Sequence, residues 1–104
     1  MSLPEISHLQ FKVLASLLDS ELPGRKLRDA ITQEGLTQTR ASFYQLMARL
    51  EDAGFVTGRY EQRTIGDVTV TERVYELTVP GKRVVDSSVE FYRQAFRPQL
   101  GWEG

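Results

Sequence analysis

The chain has 104 residues, of which 40% are hydrophobic and 26% are charged, and its net charge is −1 at neutral pH. This length and composition are typical of one globular domain and exclude a disordered or fibrous chain. There are no cysteines and a single histidine, so the sequence predicts neither a metal site nor a cofactor. His8 follows Ser7 but lacks the oriented acid of a catalytic pair, so an enzyme is not expected.

The apolar residues never form a run near the ~18 that would span a bilayer, and the first residues lack the pattern of a secretory leader. We therefore expect a cytoplasmic protein without a membrane segment. Every basic residue from Arg40 to Arg73 is an arginine, the side chain suited to bidentate contacts with phosphate and guanine. An ordinary arginine-rich surface would have the same composition.

The first helix is predicted from about Ser7 to Leu18. Ser7 and Gln10 have the Ser-x-x-Gln spacing of a capping box. Apolar residues wrap more than half of this helix, and the surplus is explained either by a dimer surface or by full burial within one chain. The residues assigned to a dimer surface are Phe11, Leu14 and Leu18.

Two further helices are predicted after a Pro-Gly pair at residues 23–24. The second helix covers residues 25–34. The third begins with Thr39 as its N-cap and runs to Ala53, with Gly54 as its stop. A second Ser-x-x-Gln pattern, starting at Ser42, would move the beginning of the third helix three residues later.

The third helix has two contrasting faces. Helical spacing places large apolar side chains, from Phe43 to Leu50, on one side, where they form the core. The opposite face carries short and hydrogen-bonding side chains, the types that reach base edges in a major groove. A solvated helix face with good helix propensity would have a similar composition.

A DNA-reading helix near residues 39–53 is the interpretation that we carry forward. Its N-terminal end and outer face supply the residues assigned to DNA contact, which are Gln38, Thr39, Arg40, Ser42, Tyr44, Gln45 and Arg49. Core packing explains Tyr44 equally well, and an ion pair with Asp52 is an alternative for Arg49.

A β-hairpin is predicted next, because residues 55–63 are rich in β-formers, Gly66-Asp67 is a turn signal and residues 68–77 alternate. Three helices followed by a hairpin is the element order of a winged helix-turn-helix, with the wing near residues 56–77. Arginines on the wing would neutralise phosphates and add affinity rather than sequence choice. The wing residues assigned to DNA contact are Arg59, Arg63, Thr64 and Arg73.

A final helix is predicted after Thr78, with Pro80 in its first turn and Pro98 as its stop. Its apolar band is wide for a helix that follows a closed domain, so we interpret it as the partner of the first helix across a two-fold axis. A helix folded back on its own domain is the alternative. The residues assigned to this dimer interface are Val85, Val89, Tyr92 and Phe96.

The predicted fold is therefore mainly α with a β-hairpin. A winged helix-turn-helix DNA-binding domain covers residues 4–79, and an added C-terminal dimerisation helix covers residues 80–98 as part of the same single domain.

The run from residue 40 to residue 55 resembles the signature of the PadR family of transcriptional regulators. The matching segments are Ser42-Phe43-Tyr44, Leu46, Arg49-Leu50-Glu51 and Gly54-Phe55 in the helix, and Tyr75-Glu76-Leu77-Thr78 with Gly81 after the wing. Glu72 and Val74 stand where the family often has a basic residue and a tyrosine, and residues 39–41 replace a frequent Ser-Pro-Gly.

The resemblance covers about residues 7–96 and is to short members of the family that lack a separate C-terminal domain. It implies a homodimer that binds palindromic double-stranded DNA, usually as a repressor, and that in some members is released by a small apolar effector near the subunit interface. The alternative function is a winged-helix protein-interaction module that does not bind DNA.

Overall fold

The structure is a computed structural model that describes residues 6–96. Its elements are α1 (His8–Ala15), β1 (Leu22–Pro23), α2 (Gly24–Gln33), α3 (Arg40–Asp52), β2 (Val56–Ile65), β3 (Val68–Leu77) and α4 (Val79–Phe96). The three strands form an antiparallel sheet with the order β1-β3-β2. This architecture confirms the predicted winged helix-turn-helix. The predicted domain limits at residues 4 and 98, and Pro98 as a helix stop, lie outside the described residues.

Helix α1 begins with the predicted capping box. The Ser7 hydroxyl accepts a hydrogen bond from the amide of Gln10 at 3.1 Å, and the Gln10 side chain accepts one from the amide of Ser7 at 3.0 Å. The helix ends at Ala15 rather than at Leu18, because the amides of Leu17 and Leu18 bond to carbonyls three residues back instead of four. The apolar pattern continues through this tighter turn, which is why the sequence predicted a longer helix.

Helix α3 has the predicted N-cap and stop. The Thr39 hydroxyl accepts a hydrogen bond from the amide of Ser42 at 3.1 Å, so the later start at Ser42 is wrong. Gly54 adopts a φ of +82°, the left-handed conformation that glycine takes without a steric penalty, and the chain turns there into β2.

Strand β1 was not predicted. Its two residues pair with β3, Leu22 opposite Tyr75 and Pro23 opposite Val74, and Pro23 also precedes the first turn of α2. A strand of two residues has no alternation to recognise, and its pairing partner lies some fifty residues along the chain. The sequence analysis therefore interpreted Pro23 only as a break between the first two helices, and not as part of a strand.

The core lies where α1, α2, α3 and the base of the wing meet. Its side chains are almost fully buried and include Leu14, Leu27, Ile31, Phe43, Met47, Leu50, Val56, Tyr75 and Val85. Helix α4 packs along α1 of the same chain, with the Tyr92 ring 5.7 Å from the ring of Phe11 and edge-on to it. Among residues 6–96, no helix has the length and apolar character needed to cross a membrane.

Thr78 ties the start of α4 to the end of α3. Its hydroxyl donates to the carbonyl of Gly54 at 2.6 Å and accepts from the amide of Gly81 at 3.0 Å. Its own amide donates to the carbonyl of Phe55 at 3.1 Å. A single residue therefore caps one helix, closes the wing at its base and fixes the angle at which α4 leaves the domain.

Candidate nucleic-acid interface

The outer face of α3 is open to solvent. Arg40, Ser42, Gln45 and Arg49 are all exposed. The opposite face holds Phe43, Met47 and Leu50, each 1% exposed or less. Because the buried face is close-packed, the exposed side chains project from a backbone that is held rigidly.

The two residues before this helix are already used by the chain itself. The Gln38 carbonyl accepts a hydrogen bond from Nε of Arg28 at 3.2 Å, and the Gln38 side chain donates to the carbonyl of Thr37. The Thr39 hydroxyl is the cap of α3. Their predicted role in DNA contact stays a prediction, and it would require these hydrogen bonds to be shared or replaced.

Tyr44 packs at the flank of α3. Its ring lies edge-on to Phe43 at 5.2 Å, and its hydroxyl lies so close to Gly24 that a Cβ there would approach Oη to 2.7 Å. Glycine at the start of α2 therefore lets the tyrosine hold α2 and α3 together. The phenol also borders a groove, so packing and a phosphate contact are compatible roles for this side chain.

That groove lies between α2, α3 and the wing and has a volume of about 1020 Å³. Four arginines and three acids line it, together with uncharged side chains. The arginines are Arg25, Arg28, Arg40 and Arg73, and the acids are Asp29, Glu51 and Glu72. The sequence analysis did not assign Arg25, Arg28 or Glu72 to the site, because the groove brings α2 beside a wing that is distant along the chain.

The wing arginines are held by carboxylates, which the sequence analysis did not predict. Arg59 pairs with Glu21 and with Glu61, and its hydrogen bond to Glu21 raises the pKa of its guanidinium. Arg63 lies 3.3 Å from Glu72. The wing as a whole carries three arginines and four acids, so it is slightly acidic. Thr64 is exposed near its tip.

Arg73 links the wing to α3 rather than pointing freely outward. Its guanidinium donates to Glu51 at 2.8 Å and lies 4.8 Å from the centre of the Tyr60 ring. Partial burial lowers the pKa of Arg73, but the hydrogen bond to Glu51 outweighs this effect and the pKa is raised overall. A Cβ on Gly58 would meet the Glu51 carboxylate and the Arg73 guanidinium, so glycine leaves room for this pair where it crosses β2.

Tyr75 closes the inner side of this link. Its ring is almost fully buried and lies 5.8 Å from the Arg73 guanidinium. Burial raises the pKa of Tyr75 to about 12, although the nearby positive charge of Arg73 opposes the shift. The phenol is therefore protonated throughout the neutral range and contributes no charge to the interface.

Replacing Glu51 by Gln is expected to loosen the wing. The Glu51 and Arg73 side chains are 26% and 27% exposed, so their pair should contribute about 1 kcal/mol to the free energy of unfolding. Denaturant unfolding measures this loss. Asp52→Asn removes the same charge from the neighbouring exposed position and is the control. Equal stability of the two variants would contradict the link.

Six of the seven residues assigned to a dimer interface have described side chains, and they divide into three groups. Leu14 and Val85 are 0% and 1% exposed within the single chain, so they have no surface that a second copy could contact. They belong to the core, and their assignment to the interface was wrong. Leu18 and Val89 are exposed at 46% and 38%. Phe11 and Tyr92 are half-buried against each other. The side chain of Phe96 lies outside the described part of the structure.

Comparison with known proteins identifies the fold and the family. The sequence profile of the transcriptional regulator PadR-like family matches residues 13–87. No curated protein matches the chain significantly.

Several solved structures share the fold. A PadR family regulator from Clostridium difficile R20291 is 13% identical with a TM-score of 0.74, covering 90% of this chain and 99% of that one. A PadR family regulator from Eggerthella lenta DSM 2243 is 25% identical with a TM-score of 0.67, covering 89% and 78%. PadR from Bacillus subtilis, solved with operator DNA, is 24% identical with a TM-score of 0.66, covering 80% and 48%. The chain therefore belongs to the PadR-like family of transcriptional regulators and is not an enzyme.

Proposed function

We propose that this protein is a sequence-specific DNA-binding regulator that acts in the cytoplasm as a homodimeric repressor on a palindromic operator. The observation that carries the proposal is the outer face of α3. That face is exposed, rich in hydrogen-bonding side chains and backed by a buried core. The Bacillus subtilis relative was solved with operator DNA, and extending DNA binding to this chain is part of the proposal.

In the proposed complex, α3 lies in the major groove and the wing lies along the neighbouring backbone. Gln45 sits one turn and a half into the helix, and its amide is suited to bidentate pairing with adenine. Arg40 and Arg49 have no acidic partner among residues 6–96, so their charge is available for phosphate or guanine.

The proposed dimer uses the apolar surface that remains exposed on one chain. Leu18 and Val89 belong to this surface, and the half-buried pair of Phe11 and Tyr92 borders it. A two-fold axis through the terminal helices would set two copies of α3 about 34 Å apart, one turn of B-DNA. The small apolar effector that the family resemblance implies stays a prediction tied to this interface.

One observation favours a second candidate, a protein-interaction module. The wing has more acids than arginines, and Ile65 and Val68 at its tip are 52% and 61% exposed. A binding titration against random duplex at 50 and 200 mM salt separates the two functions. A DNA-binding protein should lose affinity steeply as salt increases, whereas an interaction module should not bind the duplex at either concentration.

Selection of bound duplexes from a random pool tests the proposal directly. The expected result is an enriched palindrome whose half-sites are centred about 10 base pairs apart. Enrichment of a single, unrepeated half-site would contradict the dimer while keeping the DNA-binding function. A pool that stays random would contradict sequence-specific binding.

A further inference from the structure

Apart from Arg28, whose Nε donates to the carbonyl of Gln38, the arginines near the groove fall into two classes. Those on α3, Arg40 and Arg49, are exposed and hold no acid among the described residues. Those on the wing are each paired with a carboxylate, and so is Arg25 at the start of α2. Because both classes border one surface, the unpaired arginines can contact a bound duplex, whereas the paired arginines would first have to leave their carboxylates.

Glu72 is the centre of the paired class. Its side chain is only 12% exposed, and it contacts one arginine on α2 and one on β2. The Nε of Arg25 donates to Oε1 of Glu72 at 3.2 Å, and the Nε of Arg63 lies 3.3 Å from Oε2. This second oxygen is buried and accepts no hydrogen bond from the described residues, so it depends on Arg63 for its charge compensation.

The strand register of the wing gives a second reason for Arg63 to stay beside Glu72. Glu61 and Glu72 are directly opposite each other on β2 and β3, an arrangement of like charges that destabilises a strand pair. Arg63 approaches both, 4.0 Å from Glu61 and 3.3 Å from Glu72. Moving Arg63 onto a phosphate would leave Glu61 paired with Arg59 and Glu72 paired with Arg25, but would remove the cation that approaches both carboxylates.

We propose that Glu72 lowers the sequence-independent affinity of the protein for DNA by holding Arg25 and Arg63 away from DNA phosphates. Phosphate contacts add affinity for every sequence, whereas base contacts discriminate among them. Withholding two cations therefore lowers sequence-independent affinity and leaves discrimination to α3. This inference rests on the proposed DNA-binding function. It replaces the phosphate contact that the sequence predicted for Arg63 with an ion pair inside the protein.

Glu72→Gln is the test, measured as the dependence of affinity for a random-sequence duplex on salt. Each phosphate contact contributes about 0.9 to the slope of log affinity against log salt. Releasing one or two arginines should therefore steepen the slope by about one to two units. Between 200 and 50 mM salt, the variant should gain roughly 3- to 12-fold more affinity than the wild-type protein.

Glu76→Gln is the matched control. Glu76 is on the same strand, is exposed and has no ion pair among residues 6–96, so its replacement removes the same charge without releasing an arginine. Adding Arg63→Gln to the Glu72→Gln variant should remove about half of the gain. Equal slopes for Glu72→Gln and Glu76→Gln would overturn the proposal.

Three further variants test the same inference in a protein that keeps Glu72, should Glu72→Gln fail to fold. Arg25→Gln and Arg63→Gln should leave the slope almost unchanged, whereas Arg49→Gln should flatten it by about one unit. A full unit lost at Arg25 or Arg63 would overturn the inference and leave DNA binding intact. A wild-type protein without salt-dependent binding would instead overturn the proposed function, and this inference with it.

Discussion

Gly81→Ala is expected to lower the free energy of unfolding by about 3 kcal/mol, the largest change in stability that we predict for a single added methyl group. A Cβ at this position would collide with the carbonyl oxygen of Phe55 and lie 2.8 Å from Cδ1 of Leu77. The carbonyl is part of the backbone and accepts the hydrogen bond from Thr78, so it cannot turn aside. Denaturant unfolding followed by circular dichroism measures the change.

Lys82→Ala serves as the control for Gly81→Ala. Lys82 is the exposed neighbour in the same turn of α4, so its truncation should change stability by less than about 0.5 kcal/mol. A Gly81→Ala variant as stable as Lys82→Ala would mean that α4 can move away from the α3–β2 connection. The fixed departure angle of α4 would then be wrong.

Gln45→Ala is expected to have the largest effect on recognition. Losing one bidentate contact should reduce discrimination at a single base position by about 1–3 kcal/mol, without changing the folded structure because Gln45 is exposed. Competition binding with duplexes that differ at one position measures the loss. The selected palindrome supplies the reference duplex.

Arg49→Ala is the comparison for Gln45→Ala on the same helix face. If Arg49 contacts the backbone, its loss should weaken all duplexes alike and flatten the salt dependence by about one unit. A loss that is the same for every sequence in both variants would contradict our division between base reading and phosphate contact.

Local signals were the part of the fold that the sequence predicted well. Ser7 and Thr39 bond to amides three residues away, and Gly54 and Gly66 take positive φ where the chain turns. Alternation around the Gly66 turn was sufficient to predict the hairpin. All of these features depend on interactions over a few residues, which a linear pattern records directly.

Pairing between distant segments was the part that could not be predicted. Arg59 meets Glu21 across 38 residues, and Arg25 meets Glu72 across 47. A sequence does not show whether an arginine is free or paired with a distant acid, so the wing arginines were assigned to phosphate contact. The apolar stripes of α1 and α4 were ambiguous for a related reason, because a face buried within one chain and a face buried between two copies have the same pattern.

The one-residue connection at Thr78 has a consequence for operator spacing in the proposed dimer. Strand β3 ends at Leu77 and α4 begins at Val79, so the wing and α4 cannot swivel independently. With 18 residues, α4 is a lever about 27 Å long. A change of about 10° in the angle between the two α4 helices would change the separation of the two copies of α3 by roughly 5 Å, more than the 3.4 Å rise of one base pair. The angle at which the two α4 helices cross, far from any nucleotide, would thereby determine which separation of half-sites the dimer can bind.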